Sequence, residues 1–170
     1  MSKLKLVSAV LSAAMATFFA SHALAATEST NLGVTASVAD NCIISTADVA
    51  FGAYDPIVDN ATAGRLGSGT VTVTCTTGAS AVVTLGLGAN DSGGTAADPS
   101  RRLADGSNFL NYTLWSDSGR SAEWGNTEAT GKADTGTGTA SAHTVWGTIH
   151  PAQNVPRGNY SDTVVATVTF

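Results

Sequence analysis

The chain has 170 residues, 43% of them hydrophobic and 12% charged, with 13 acidic side chains against 8 lysines and arginines and a formal net charge of −5. That length suits one ordinary domain. Beyond the first residues the cations are scattered at Arg65, Arg101, Arg102, Arg120, Lys132 and Arg157, without the clustering that nucleic acid or an anionic membrane demands of a partner.

At the start of the chain, Lys3 and Lys5 precede an apolar run from Leu6 to Ala20, and Ala23-Leu24-Ala25 satisfies the small-residue rule for signal peptidase. Residues 1–25 are therefore expected to be a cleaved signal peptide. A run of about 15 residues is shorter than the roughly 20 that span a bilayer, so the reading is an exported chain rather than an integral membrane protein. The remaining 145 residues lose Lys3 and Lys5, leaving six cations against 13 acids and a net charge of −7.

No helical period is found beyond residue 25. Short alternating runs punctuated by Gly, Asn, Asp and Pro predict strands near 32–38, 42–44, 49–51, 69–76, 81–87, 109–115, 143–149 and 160–170, an all-β pattern. Residues 67–89 carry no charge and are expected to lie centrally. "ANDSGGTAADPSRR" and "EATGKADTGTGTASA" read as surface loops, and no second core lies beyond either one. Two cysteines remain after residue 25, Cys42 and Cys75. In an exported chain they most simply form one disulfide, worth roughly 3.5–4 kcal/mol in the chain-entropy picture.

Catalytic and metal chemistry finds little support. His143 and His150 lie seven apart, outside any HxH or HExxH pattern, and lack further ligands once the cysteines are oxidised. There is no GxSxG elbow, and "DTGTGTAS" lacks the GK[ST] ending of a phosphate loop. Trp115, Trp124, Trp146 and Tyr112 fit a sugar site on paper, although at strand spacing such residues serve more often as core or cross-strand pairs. The expectation is no enzyme, no metal and no cofactor.

The two ends carry the most suggestive pattern. Leu32, Val34, Ala36 and Val38 alternate with the small residues Gly33, Thr35, Ser37 and Ala39 ahead of Cys42, and Val164, Ala166, Val168 and Phe170 alternate up to the last residue. By pattern alone, the first strand either pairs within its own sheet or leaves its subunit to fill a neighbour's groove.

Three segments resemble the spore coat protein U family, which is similar to the pilins of archaic chaperone–usher pili such as the Csu type. They are "NCIISTADVAFGAYDP" with Phe51-Gly52-x-Tyr54-Asp55-Pro56, "LNYTLWSDSGRSAEWGNT" with Trp124-Gly125, and "TVWGTIHPAQNVPRGNYSDTVVATVTF" with Gly147, Pro151, Gln153, Tyr160 and Asp162. Arg157 departs from the small residues usual in its turn. The resemblance implies an incomplete immunoglobulin-like β-sandwich that lacks its final strand and is completed by donor-strand complementation. It divides the chain into a donor segment at 26–40 and a pilin domain at 41–170, with Leu32, Val34, Ala36 and Val38 as donor side chains. Val164, Ala166, Val168 and Phe170 would form the acceptor and chaperone-binding strand. The implied partners are a periplasmic chaperone that grips the Phe170 carboxylate, an outer-membrane usher, and other copies of the subunit. The implied product is a surface fibre for adhesion and biofilm formation. The alternatives are a spore or cyst coat built from the same fold, or a sugar- or surface-binding adhesin, for whose additional domain 145 residues leave no room.

Overall fold

The computed structural model describes residues 25–170, so the expected signal peptide lies almost wholly outside the described residues. Ser37–Phe170 form one packed unit. Residues 25–36 have no regular secondary structure and are exposed.

Eight strands make up the packed unit: β1 Cys42–Ala50, β2 Arg65–Cys75, β3 Ser80–Leu85, β4 Arg102–Asp105, β5 Asn108–Trp115, β6 Lys132–Thr135, β7 Ser141–Ile149 and β8 Ala166–Thr169. They form a five-stranded sheet ordered β1-β2-β7-β5-β4 and a three-stranded sheet ordered β6-β3-β8. The period-two pattern explains the layering. Val71, Val73 and Cys75 of β2 are buried while Thr72 and Thr74 between them are only partly covered. Val83, Leu85, Leu110, Tyr112, Leu114, Val145 and Ile149 complete the core from both sheets, with Trp124 wholly buried among them.

Several expected elements fall differently. The run 42–44 and residues 49–50 of the next belong to a single strand, β1, which ends before Phe51 and whose register with β2 shifts between Ala47 and Ala50. Its polar middle broke the alternation because most of the strand is exposed. β6 emerges from a segment expected to be a loop, while β4 begins at the last residue of the other expected loop and was not assigned; each is a four-residue strand with charged side chains at the edge of its sheet. The alternating segment 160–170 is ladder-paired only over β8. Residues 32–38 form no strand at all within the single chain. Alternation records which face a strand would bury, not whether a neighbour is present.

Strand direction alternates across the larger sheet. β1 is antiparallel to β2, β2 to β7, β7 to β5, and β5 to β4. β4 bridges antiparallel to the C-terminal segment through Ala104 and Ser161. The C-terminal segment therefore runs antiparallel to β1.

Candidate functional site

Among the described residues β1 pairs only with β2, and β8 only with β3, so each leaves one backbone edge unpaired there. Between these edges lies an open cleft of about 1230 Å³. Its floor is the core itself, including Val71, Leu85, Leu110, Leu114, Val145 and Ile149. One wall is β1 from Thr46 onward with the residues after it, and the other is the C-terminal segment through Val164 and Ala166. At one end small side chains bring the walls together, where Cys42 and Val168 pack on Cys75, Ala79 and Ala81. Period two places Ile44 and Thr46 on the face of β1 that carries Cys42, yet Ile44 is 36% exposed and Thr46 is also exposed. Nothing among the described residues covers that face. An apolar floor between two unpaired edges is the geometry that invites an added strand.

The β1 wall is held from below and behind. The Cys42–Cys75 disulfide joins directly paired residues of β1 and β2. Further along, Phe51 lies over the paired glycines Gly67 and Gly147, where an added Cβ at either would sit 2.7 Å from its ring. Its ring meets Tyr112 edge-on at 6.0 Å. Gly52 then turns the chain at φ +70°, a conformation that favours glycine. The Tyr54 hydroxyl donates to His150 O at 2.8 Å and accepts from Gln153 N at 2.9 Å, tying the mouth of the cleft to the end of β7. Gln153 in turn donates to Asn111 O and accepts from Asn111 N, capping the edge of β5.

The opposite wall is pinned by Asp162. Its carboxylate accepts from the Tyr112 hydroxyl at 2.6 Å and from Asn90 N and Nδ2 at 3.1 Å. Burial, reinforced by that bond to Asp162, pushes the Tyr112 phenol well above its ordinary pKa, so it remains a donor. Backbone bonds from Ala104, Ala89 and Gly86 to the carbonyls of Ser161, Thr163 and Val165 carry the segment from β4 across to β3.

Placement of the expected residues is uneven. Val164 and Ala166 line the cleft; Val168 packs at its narrow end, and Phe170 lies outside the lining, 53% exposed. Leu32, Val34 and Val38 are 85–87% exposed, and Ala36 is exposed too. Sequence reasoning did not assign Phe51, Tyr54, Leu103, Val155 and Tyr160 to the cleft, although they line it. The Phe51-Gly52-x-Tyr54 motif was the available signal for two of them. Trp124 is core, and Trp115 and Trp146 are directly opposed on β5 and β7. His143 approaches Asp134 at 3.2 Å, while His150 Nε2 contacts Thr113 Oγ1 at 2.9 Å. Among the described residues no three His, Cys, Asp or Glu gather as metal ligands, and no helix is long and apolar enough to cross a membrane.

The structure is that of an immunoglobulin-like sandwich short of its final strand. The chain belongs to the Spore Coat Protein U domain family, whose model matches residues 28–167. It is 42% identical over 179 residues to "Protein U" of Myxococcus xanthus, covering the whole of both chains. Its fold is similar to a chain in the crystal structure of the CsuC–CsuE chaperone–tip adhesion subunit pre-assembly complex, from archaic chaperone–usher Csu pili of Acinetobacter baumannii. There the TM-score is 0.57 at 22% identity, and the match spans 79% of this chain but only 40% of the other.

Proposed function

We propose that the protein is a structural subunit of a secreted chaperone–usher fibre, and that residues 27–38 of one copy complete the sandwich of the next. The observation that carries this reading is the cleft between β1 and β8, floored by the core and bounded by two unpaired edges. Leu32, Val34, Ala36 and Val38 supply side chains of a size to cover that floor. At about 25 cal/mol per Å² of apolar area, burying them contributes several kcal/mol, beyond the backbone ladder. Before assembly a periplasmic chaperone lends the strand, and an outer-membrane usher exchanges it for the next subunit. The family and fold are those of structural subunits, which supports a non-enzymatic role with no cofactor. In this reading the signal peptide at 1–25 directs export, and the fibre serves adhesion and biofilm formation at the cell surface.

The family's description as a Spore Coat Protein U domain favours a second reading, in which the same polymer forms a coat around a resting cell. Strand donation is common to both.

The test is size-exclusion chromatography with mass determination on the mature chain, alone and with a synthetic peptide spanning residues 26–40. The expected result is aggregates or SDS-resistant ladders alone and a stable one-to-one complex with peptide. A well-behaved monomer indifferent to the peptide would overturn strand donation.

A further inference from the structure

The turn after the β1 wall displays an apolar pair. Ile57 is 68% exposed and Val58 72%, next to Pro56 and flanked by Asp55 and Asp59. The display is rigid. Asp55 Oδ1 accepts from Ile57 N at 2.8 Å and Val58 N at 3.1 Å, while Asn60, 5% exposed, donates its N–H to Asp55 O and its side-chain amide to Ala63 O. A solvated loop has no need of two bare aliphatic side chains on so fixed a platform. Ile57 also lines the mouth of the cleft.

Strand direction says what meets this turn. Resting on the fibre reading, each subunit sends out its segment at the Cys42 end of β1, where Asn41 pairs with Thr76. The turn lies at the other end, roughly 30 Å away for a nine-residue strand. An incoming strand can be antiparallel to only one wall, because β1 and the C-terminal segment oppose each other in direction. Were it antiparallel to β1, its body would arrive at the Cys42 end, from which the acceptor's own segment departs. Two bodies would then contend for one pole and the chain of subunits could not extend linearly. Running parallel to β1, the incoming strand instead finishes at the mouth, and its own Cys42 end abuts the acceptor's turn. At that end Ile43 is 66% exposed.

We infer that Ile57 and Val58 form a second contact at each fibre junction, docking on the Ile43 end of a second copy of this chain. Strand insertion holds adjacent subunits together, and this contact fixes the angle between them.

The test places a photo-crosslinking amino acid at Val58, which does not line the cleft, in fibres grown from the full mature chain. The expected product is an intermolecular link to the peptide containing Ile43. In parallel, Val58→Asp is expected to capture the 26–40 peptide as the unsubstituted chain does, while its fibres lose at least twofold in persistence length by electron microscopy. Fibres that form but link elsewhere, or that keep their stiffness in V58D, overturn the contact and leave strand donation standing. Failure of the unsubstituted chain to form fibres overturns both.

Discussion

Along one seam of the sandwich the two sheets are stitched together; along the other they gape. At the stitched seam Trp124 donates its indole N–H to Val83 O at 2.8 Å and its backbone N–H to Leu114 O at 2.8 Å, linking β3 to β5. Beside it Arg101, 1% exposed, donates to the carbonyls of Leu85, Gly86 and Trp124 at 2.7–2.9 Å. Burial lowers the Arg101 pKa, offset by nearby Tyr112 and Glu123, the latter 3.8 Å away. At the open seam no hydrogen bond among the described residues joins β1 to β8. One side thus spends a buried cation and an indole to hold the layers at fixed spacing, so that the other can stand open without collapse. A floor that closed on itself would have no room for a strand.

The contrast is broken most severely at the stitched seam. Trp124→Ala removes the largest wholly buried side chain and its indole bond to Val83 O, and is expected to cost about 3–5 kcal/mol in denaturant unfolding of the peptide-complemented subunit. Arg101→Lys keeps the charge but cannot reach three carbonyls from one point, with a loss of about 2–3 kcal/mol. Equal stability in either variant would show that the seam does not hold the sheets.

Removing the disulfide probes the open seam. Because β1 buries little of its own surface, Cys42–Cys75 supplies much of its attachment. The double substitution Cys42→Ala, Cys75→Ala is expected to lose roughly 3.5–4 kcal/mol. It is also expected to weaken capture of the 26–40 peptide, because one wall of the cleft loosens. Unchanged peptide affinity would mean that β1 is held by its ladder alone. A smaller change, Tyr112→Phe, withdraws one donor from Asp162 at the other wall and is expected to cost about 1–3 kcal/mol, read by the same unfolding curves.

The stitched side and the open side were not equally legible in the sequence. β2, β3, β5 and β7 announce themselves because each has one buried face, so Val71, Val73, Val83, Leu110, Leu114, Val145 and Ile149 recur at period two. The cysteine pair was equally readable, since export and a count of two leave one simple partner for each. Arg101 was not readable: a charge in "DPSRRLAD" looks solvated, and only tertiary structure shows three carbonyls converging on it. β4 and β6 hid for a related reason. β6 is a polar four-residue edge, and β4 sends a single aliphatic side chain, Leu103, toward the core, too little to write a period of two. Of the cleft, the C-terminal wall was visible as alternation. The opposite wall is built from the fold of β1 over Gly67 and Gly147, a contact between residues far apart in sequence.

The gentlest perturbation separates the cleft mouth from both seams. His150 has its pKa lowered by burial, and its Nε2 meets Thr113 Oγ1. A histidine whose folded pKa is depressed binds fewer protons when folded than when unfolded, so acid favours the unfolded chain. Stability is expected to fall as pH drops through about 6.5, the unfolded value, and to stop falling once the folded form also protonates. His150→Gln retains a partner for Thr113 and removes the titration. Thermal unfolding of the complemented subunit at pH 7.5 and 5.0 is the measurement, and the interval between the two midpoints is expected to narrow in H150Q. Because the carbonyl of His150 accepts from Tyr54 whatever the side chain's charge, peptide capture at pH 7.5 is expected to match that of the unsubstituted chain. An interval of the same width in both proteins would show that His150 does not carry the acid sensitivity over this range. Asp117 acts in a more acidic range, since backbone N–H groups led by Ala122 hold its pKa below the ordinary carboxylate value. It contributes stability that is present above its unfolded pKa and lost as pH falls through the folded one.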